Sequence, residues 1–105
     1  MKAKVADHIV SIDPYLIPAD PEKHVWWSHK AYILVRVETK DGLIGWGECH
    51  NLSFRENAIV EIIQSIAPTL RGRLASDIRI LFNSAFNNFS QQRPGIDVYC
   101  AFAGI

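Results

Sequence analysis

The chain lacks most of the features that assign a function quickly. It has two cysteines, Cys49 and Cys100, set far apart and without a metal or redox spacing, so a disulfide framework and a zinc ribbon are both excluded and two reduced thiols are expected. It has no excess of either charge: 11 basic residues balance 11 acidic ones, which leaves no electrostatic footprint for nucleic acid or an anionic membrane. No apolar run approaches the roughly 18 residues of a membrane span. The first residues, MKAKVADHIVSID, hold neither a long apolar stretch nor a small-residue cleavage site, so no secretory signal is expected and a cytoplasmic protein is. Low-complexity tracts and internal repeats are missing too. At 105 residues, 49% hydrophobic and 21% charged, the composition is that of one folded domain.

Familiar catalytic spacings are also absent. The four histidines, His8, His24, His29 and His50, include no pair at the i, i+4 helical spacing of a zinc site, and no Cys or carboxylate completes a set, so no metal site is expected in this chain. Ser53 lies near Cys49 and His50, but no Gly-x-Ser-x-Gly elbow surrounds it. Gly42, Gly45 and Gly47 do not make a phosphate loop, since Gly45-Trp-Gly47 falls on a strand pattern and not at a strand-to-helix turn and so presents no helix N-terminus to a phosphate.

What the chain does have is a hairpin. Residues 32–48 read YILVRVETKDGLIGWGE. Ile33, Val35 and Val37 alternate with Tyr32, Leu34, Arg36 and Glu38, the period of a strand buried on one side. Lys40-Asp41-Gly42 is turn chemistry, with Gly42 suited to a positive φ, and Leu43 to Glu48 return as the partner strand. Gly45 and Gly47 share a face, which predicts close approach of another backbone or a helix at both. A strand over Lys4 to Asp13 is expected before the hairpin, interrupted at Pro14.

Helical patterns follow. Ser53 with Glu56 three residues on forms a capping box, and Ile59, Ile62, Ile63 and Ile66 make one apolar stripe that Pro68 is expected to end. Ser76 and Asp77 open a second helix with a stripe of Ile78, Leu81, Phe82, Ala85, Phe86 and Phe89. From Ile96 a third helix is apolar nearly all round, a pattern of burial from every side. Strands followed by helices predict an α+β domain over 1–105: a three-stranded antiparallel meander with a helical bundle on one face. The last helix carries more apolar surface than so small a domain covers, so a further segment or a second subunit is expected against it.

Two loops draw attention. The one from Pro18 to His29 holds Lys23, His24, Trp26 and Trp27. The indoles suit the apolar faces of a sugar or an aromatic ligand, and His and Lys can donate to carboxylate or hydroxyl groups; the competing role for the tryptophans is entry into the core beside the second strand. The other loop, after Glu48, holds His50 and Asn51.

Five motifs in order carry a resemblance: Val35-Arg-Val-Glu-Thr39, Asp41-Gly42, Gly45-Trp-Gly47-Glu48, the amphipathic helix, and Pro68-Thr-Leu-Arg-Gly72, with Cys100 to Ile105 following. Together they resemble the N-terminal capping domain of the enolase superfamily, in its mandelate racemase / muconate lactonizing group. The resemblance implies a three-stranded sheet and helical bundle set over the mouth of a barrel. In that family the barrel supplies a Lys or His base for the proton α to a carboxylate and Mg²⁺ to stabilise the enediolate. Neither the bases nor the metal ligands are expected among these residues, and no catalytic residue is assigned. The implied role of the cap is to close over the substrate, through Lys23, His24, Trp26 and Trp27 in the first loop and His50 and Asn51 in the second.

The expected partners are a barrel domain of the same chain, a small carboxylate substrate, an acid sugar foremost, and other copies in a homo-oligomer. The polar and aromatic first loop favours an acid-sugar dehydratase, with a racemase or cycloisomerase as the alternative reaction. A function of another class fits the same residues: a non-catalytic module that dimerises through its last helix and binds a small ligand at Trp26 and Trp27.

Overall fold

In a computed structural model the described residues are 6–18, 31–50, 54–89 and 96–105. They form strands β1 (Ile9–Ile17), β2 (Tyr32–Thr39) and β3 (Ile44–Cys49), then helices α1 (Glu56–Leu70), α2 (Ile78–Phe89) and α3 (Ile96–Gly104). The sheet is an antiparallel meander in the order β1-β2-β3. The expected α+β class and three-stranded meander are what the chain adopts.

Alternation in β2 sorts the sheet into two faces. Ile33 and Val35 are fully buried, and their partners Leu16 and Pro14 on β1 and Cys49 and Gly47 on β3 line the same inner face. The stripe of α1 covers that face: Ile59, Ile63 and Ile66 are fully buried, and Ala67 and Leu70 extend the stripe by a turn. Ile62 is only half-buried at its edge. The outer face is half-open. There the rings of Tyr15 and Trp46 stand 5.6 Å apart across β2, beside an Arg36–Glu38 ion pair of 3.0 Å.

The hairpin forms as its turn residues require. Gly42 adopts φ +88°, a conformation that costs a residue with a Cβ, and its N–H donates to the Thr39 carbonyl at 3.0 Å. The Thr39 hydroxyl accepts from the Leu43 N–H at 3.1 Å, which satisfies a polar side chain inside the hairpin end.

Several sequence expectations need correction. β1 runs on through Pro14 to Ile17, because β1 is an edge strand and its outer side needs no donor. α1 likewise runs through Pro68 to Leu70. Proline there cannot donate to the Gln64 carbonyl, but both residues lie on the exposed side, where water can serve that carbonyl. The first helix starts at Glu56 with Arg55 at its N-cap and no side-chain cap bond there; the expected capping box rests on Ser53, which lies outside the described residues. In α3, Cys100, Ala101 and Gly104 are buried while Tyr99 is 50% exposed, apolar surface that the described residues leave uncovered. In the α2 stripe Leu81 is buried, whereas Ile78 and Phe82 stay open at 73% and 46%.

Candidate functional site

The sheet register decides where the two loops lie. Ile17 pairs with Tyr32, and Ile33 pairs with Cys49. The β1–β2 connection and the β3–α1 connection therefore leave the sheet from the same end. The hairpin joining β2 to β3 is at the opposite end, where the Asp7 carboxylate accepts from the Asp41 N–H at 3.0 Å and the segment after α1 bonds back to β1. Of the residues expected to contact substrate, His50 is described: it follows β3 directly and is exposed. Lys23, His24, Trp26, Trp27 and Asn51 lie outside the described residues.

Two residues at the loop-bearing end follow from no sequence pattern. Phe54 is 95% exposed, and with φ +67° it is the one non-glycine residue in the left-handed region among the described residues. Arg55, the next residue, makes two contacts: its carbonyl accepts from the Ile59 N–H at 3.1 Å, and its guanidinium lies 3.8 Å from the Asp97 carboxylate in the first turn of α3. Exposure and φ are properties of the fold; in the sequence the only trace of Phe54 is an apolar residue standing between a loop and a helix.

Beneath this end lie the two thiols. Cys49 sits on the last residue of β3 and its thiol donates to the Ala101 carbonyl at 3.8 Å. Burial pushes the Cys49 thiol up to about 11, a shift that a backbone hydrogen bond at Gly104 only partly offsets. Burial also raises the Cys100 thiol, and the Asp97 carboxylate adds to the effect. Neither is a nucleophile near neutrality, since the thiolate is the reactive form. Both remain free thiols, as the sequence implied.

A groove of about 380 Å³ opens between the inner edge of β3, the end of α1 and α2. Trp46, Leu70, Ile78, Phe82 and Phe102 are among its lining residues, and among the described residues no acid, base or nucleophile lines it. Among the described residues no group of three His, Cys, Asp or Glu could hold a metal ion. No helix among them is long and apolar enough to cross a membrane. The β1–β2 and β3–α1 connections, which hold the residues expected to contact substrate, thus share one end of the sheet.

Comparison with known proteins agrees with this architecture. The family model for the mandelate racemase / muconate lactonizing enzyme N-terminal domain matches residues 25–105. A search of curated proteins finds no match. Among solved structures, the chain is similar to a mandelate racemase/muconate lactonizing enzyme from Sulfitobacter sp., with 28% identity and a TM-score of 0.67, covering 91% of this chain and 24% of that one. It is also similar to a mandelate racemase/muconate lactonizing protein from Paracoccus denitrificans PD1222 complexed with magnesium, with 20% identity and a TM-score of 0.75, covering 93% and 24%. A third is a Zymomonas mobilis ZM4 protein provisionally titled a dehydratase, with 23% identity and a TM-score of 0.77, covering 89% and 23%. The chain thus spans about a quarter of the length of these relatives. A match that takes in residues 25–105, on a meander with its helices on one face, places the chain in the mandelate racemase / muconate lactonizing enzyme family of the enolase superfamily, as its N-terminal domain.

Proposed function

We propose that residues 1–105 are the substrate-specificity cap of an enolase-superfamily enzyme that acts on a carboxylate substrate. One observation carries the reading: both connections that hold candidate ligand residues leave the same end of the sheet, because Ile17 pairs with Tyr32 and Ile33 with Cys49. A rigid sheet backed by α1 gives both a fixed base, which is how specificity loops are commonly held. The barrel of the same chain is the proposed partner. It would supply the Lys or His base and the ligands for Mg²⁺, since the described residues of this chain offer no group able to hold the ion. Magnesium in the Paracoccus denitrificans relative supports the ion's presence in the intact enzyme.

The work left to this chain is to bind, orient and exclude water. Lys23 and His24 would donate to the acid, Trp26 and Trp27 would cover its carbon face, and His50 and Asn51 would approach from the second connection. Enclosure of this kind strengthens every electrostatic interaction with developing charge on the substrate. The polar and aromatic mix favours an acid sugar losing water from the carbons next to its carboxylate, in keeping with the description of the Zymomonas mobilis relative as a dehydratase. The half-open outer sheet face around Tyr15 and Trp46 suits contact with another copy in a homo-oligomer.

The test has two parts. The coding sequence beyond Ile105 is read for a barrel with Lys-x-Lys and spaced acidic ligands, and the intact protein is assayed with Mg²⁺ against a library of acid sugars, chiral α-hydroxy acids and muconates. Dehydration of acid sugars supports the reading. Racemisation or lactone formation alone redirects it to the alternative reactions, and no turnover of any acid refutes it.

A further inference from the structure

The helices cover the inner face of the sheet, and the described residues leave the outer face open. Tyr15, Ile17, Tyr32, Ile44 and Trp46 all lie on that outer face, between 47% and 60% exposed. Single exposed hydrophobics are ordinary, but five on one face of three strands make a patch. At about 150–250 Å² for a whole aromatic side chain, their open parts come to roughly 500 Å². Two such faces together bury roughly 1,000 Å², the threshold of a specific interface, before any polar rim is counted.

The charges on this face are arranged to meet their own copies. Arg36 and Glu38 are successive outer residues of β2 and form an ion pair of 3.0 Å, with side chains 23% and 35% exposed. The sheet register sets Asp13, Arg36 and Trp46 in one row and Ser11, Glu38 and Ile44 in another, with Val37 between the two rows. A two-fold axis lying between two stacked sheets and crossing the strands at Val37 superposes these rows. Arg36 then faces the partner's Glu38, Trp46 the partner's Ile44, and Asp13 the partner's Ser11. Opposite charges, apolar side chains, and a carboxylate with a hydroxyl are paired, each contact made twice. An axis moved to the Arg36 row would set Arg36 against its own copy, so the charges select the register.

We propose that the outer sheet face is an isologous dimer interface between two copies of this chain, centred on Val37 and locked by reciprocal Arg36–Glu38 contacts. The strands run antiparallel across it, so the two loop-bearing ends point away from each other and stay free. The pairing rests on the homo-oligomer proposed above and on no particular reaction; a failed turnover assay therefore leaves it standing, and its own failure leaves the proposed reaction standing.

The test follows the mass of the full-length protein by sedimentation, with thermal unfolding in parallel. Arg36→Glu and Glu38→Arg each set like charges against each other across the axis. Each alone is expected to weaken association by about tenfold or more and to sediment at half the parent mass, with a Tm near that of the parent's dissociated form. An equimolar mixture of the two regains the parent mass, because one copy then carries two acids at these positions and the other two cations. Ile44→Ser, which alters no charge, weakens association without being rescued by either charge variant. A monomeric parent overturns the proposal. So does a charge variant or Ile44→Ser that keeps the parent mass, or a loss of mass in both charge variants that mixing does not repair, which would confine the Arg36–Glu38 pair to a single chain.

Discussion

Gly47 of β3 and Gly104 of α3 meet backbone to backbone: a Cβ at Gly47 would overlap the Gly104 carbonyl, with the Gly104 Cα 3.3 Å away. The relation is reciprocal. A Cβ at Gly104 would overlap the Cys49 sulfur and stand 3.1 Å from a methyl of Val35. The last turn of α3 is thereby seated directly on the sheet.

Gly47→Ala and Gly104→Ala should each destabilise the protein by about 1–3 kcal/mol, since the obstacle is backbone or packed core and not the tip of a flexible side chain. Gly45 is the control. It shares the face of Gly47, yet a Cβ there meets nothing within 4 Å. Gly45→Ala should be neutral or stabilise by roughly 0.5 kcal/mol, because glycine in a strand carries an entropic cost. Urea denaturation of the three variants checks the ordering; equal losses at 45 and 47 would refute the contact.

This pair also marks how far the sequence could be read. Spacing alone placed both glycines on one face and called for a close approach at each. The approach occurs at Gly47 only, because α3 ends over Gly47, and where a helix ends over a sheet is set by tertiary packing. Hairpin and α1 were legible for a simple reason: alternation at Ile33 and Val35, turn chemistry at Gly42 and the Ile59–Ile66 stripe each dictate local structure. Pro14 and Pro68 misled, since an edge strand and an exposed helix side each excuse a missing donor. At the candidate site, residue types suggested His50, but the φ and exposure of Phe54 depend on the β3–α1 path, which no periodicity encodes.

Within α1 the isoleucines are not equivalent. Ile63 is fully buried against the sheet while Ile62 lies half-buried at the stripe's edge. Ile63→Ala should cost about 2–5 kcal/mol through lost burial plus a cavity, and Ile62→Ala clearly less. Thermal unfolding of the two variants measures the gap, and its absence would mean that the sheet face is not covered as described.

The Arg55–Asp97 pair should contribute little energy despite its position. Its separation is 3.8 Å and the Arg55 side chain is 52% exposed, so solvent screens it. A double-mutant cycle with Arg55→Ala and Asp97→Ala should give a coupling of about 0.2–1 kcal/mol that shrinks with added salt. Asp97→Ala alone should cost somewhat more than the coupling, because the carboxylate also lies in the first turn of α3, where negative charge is favourable. A salt-insensitive coupling well above that range would indicate a more deeply desolvated pair.

Cys49 makes the domain sensitive to alkali. Its thiol ionises near 9.0 in the unfolded chain and near 11 in the folded one, chiefly because burial disfavours the thiolate. The sign follows from proton counting. Below pH 9 both states hold the proton and the stability is fully present. Between about 9 and 11 the unfolded chain releases the proton while the folded one keeps it, so stability is lost as pH rises. The loss attributable to this group is on the order of 2 kcal/mol across that window. Urea midpoints at pH 8 and pH 10.5 should therefore drop for the parent, and drop less for Cys49→Ala, which lacks the titrating group; the difference between the two slopes removes the shared contribution of lysines and tyrosines. The buried thiol should also react slowly with a disulfide reagent at pH 8 in the native state and at the ordinary rate in urea. Parallel pH slopes, or fast native labelling, would show that the thiol is not shielded beneath α3.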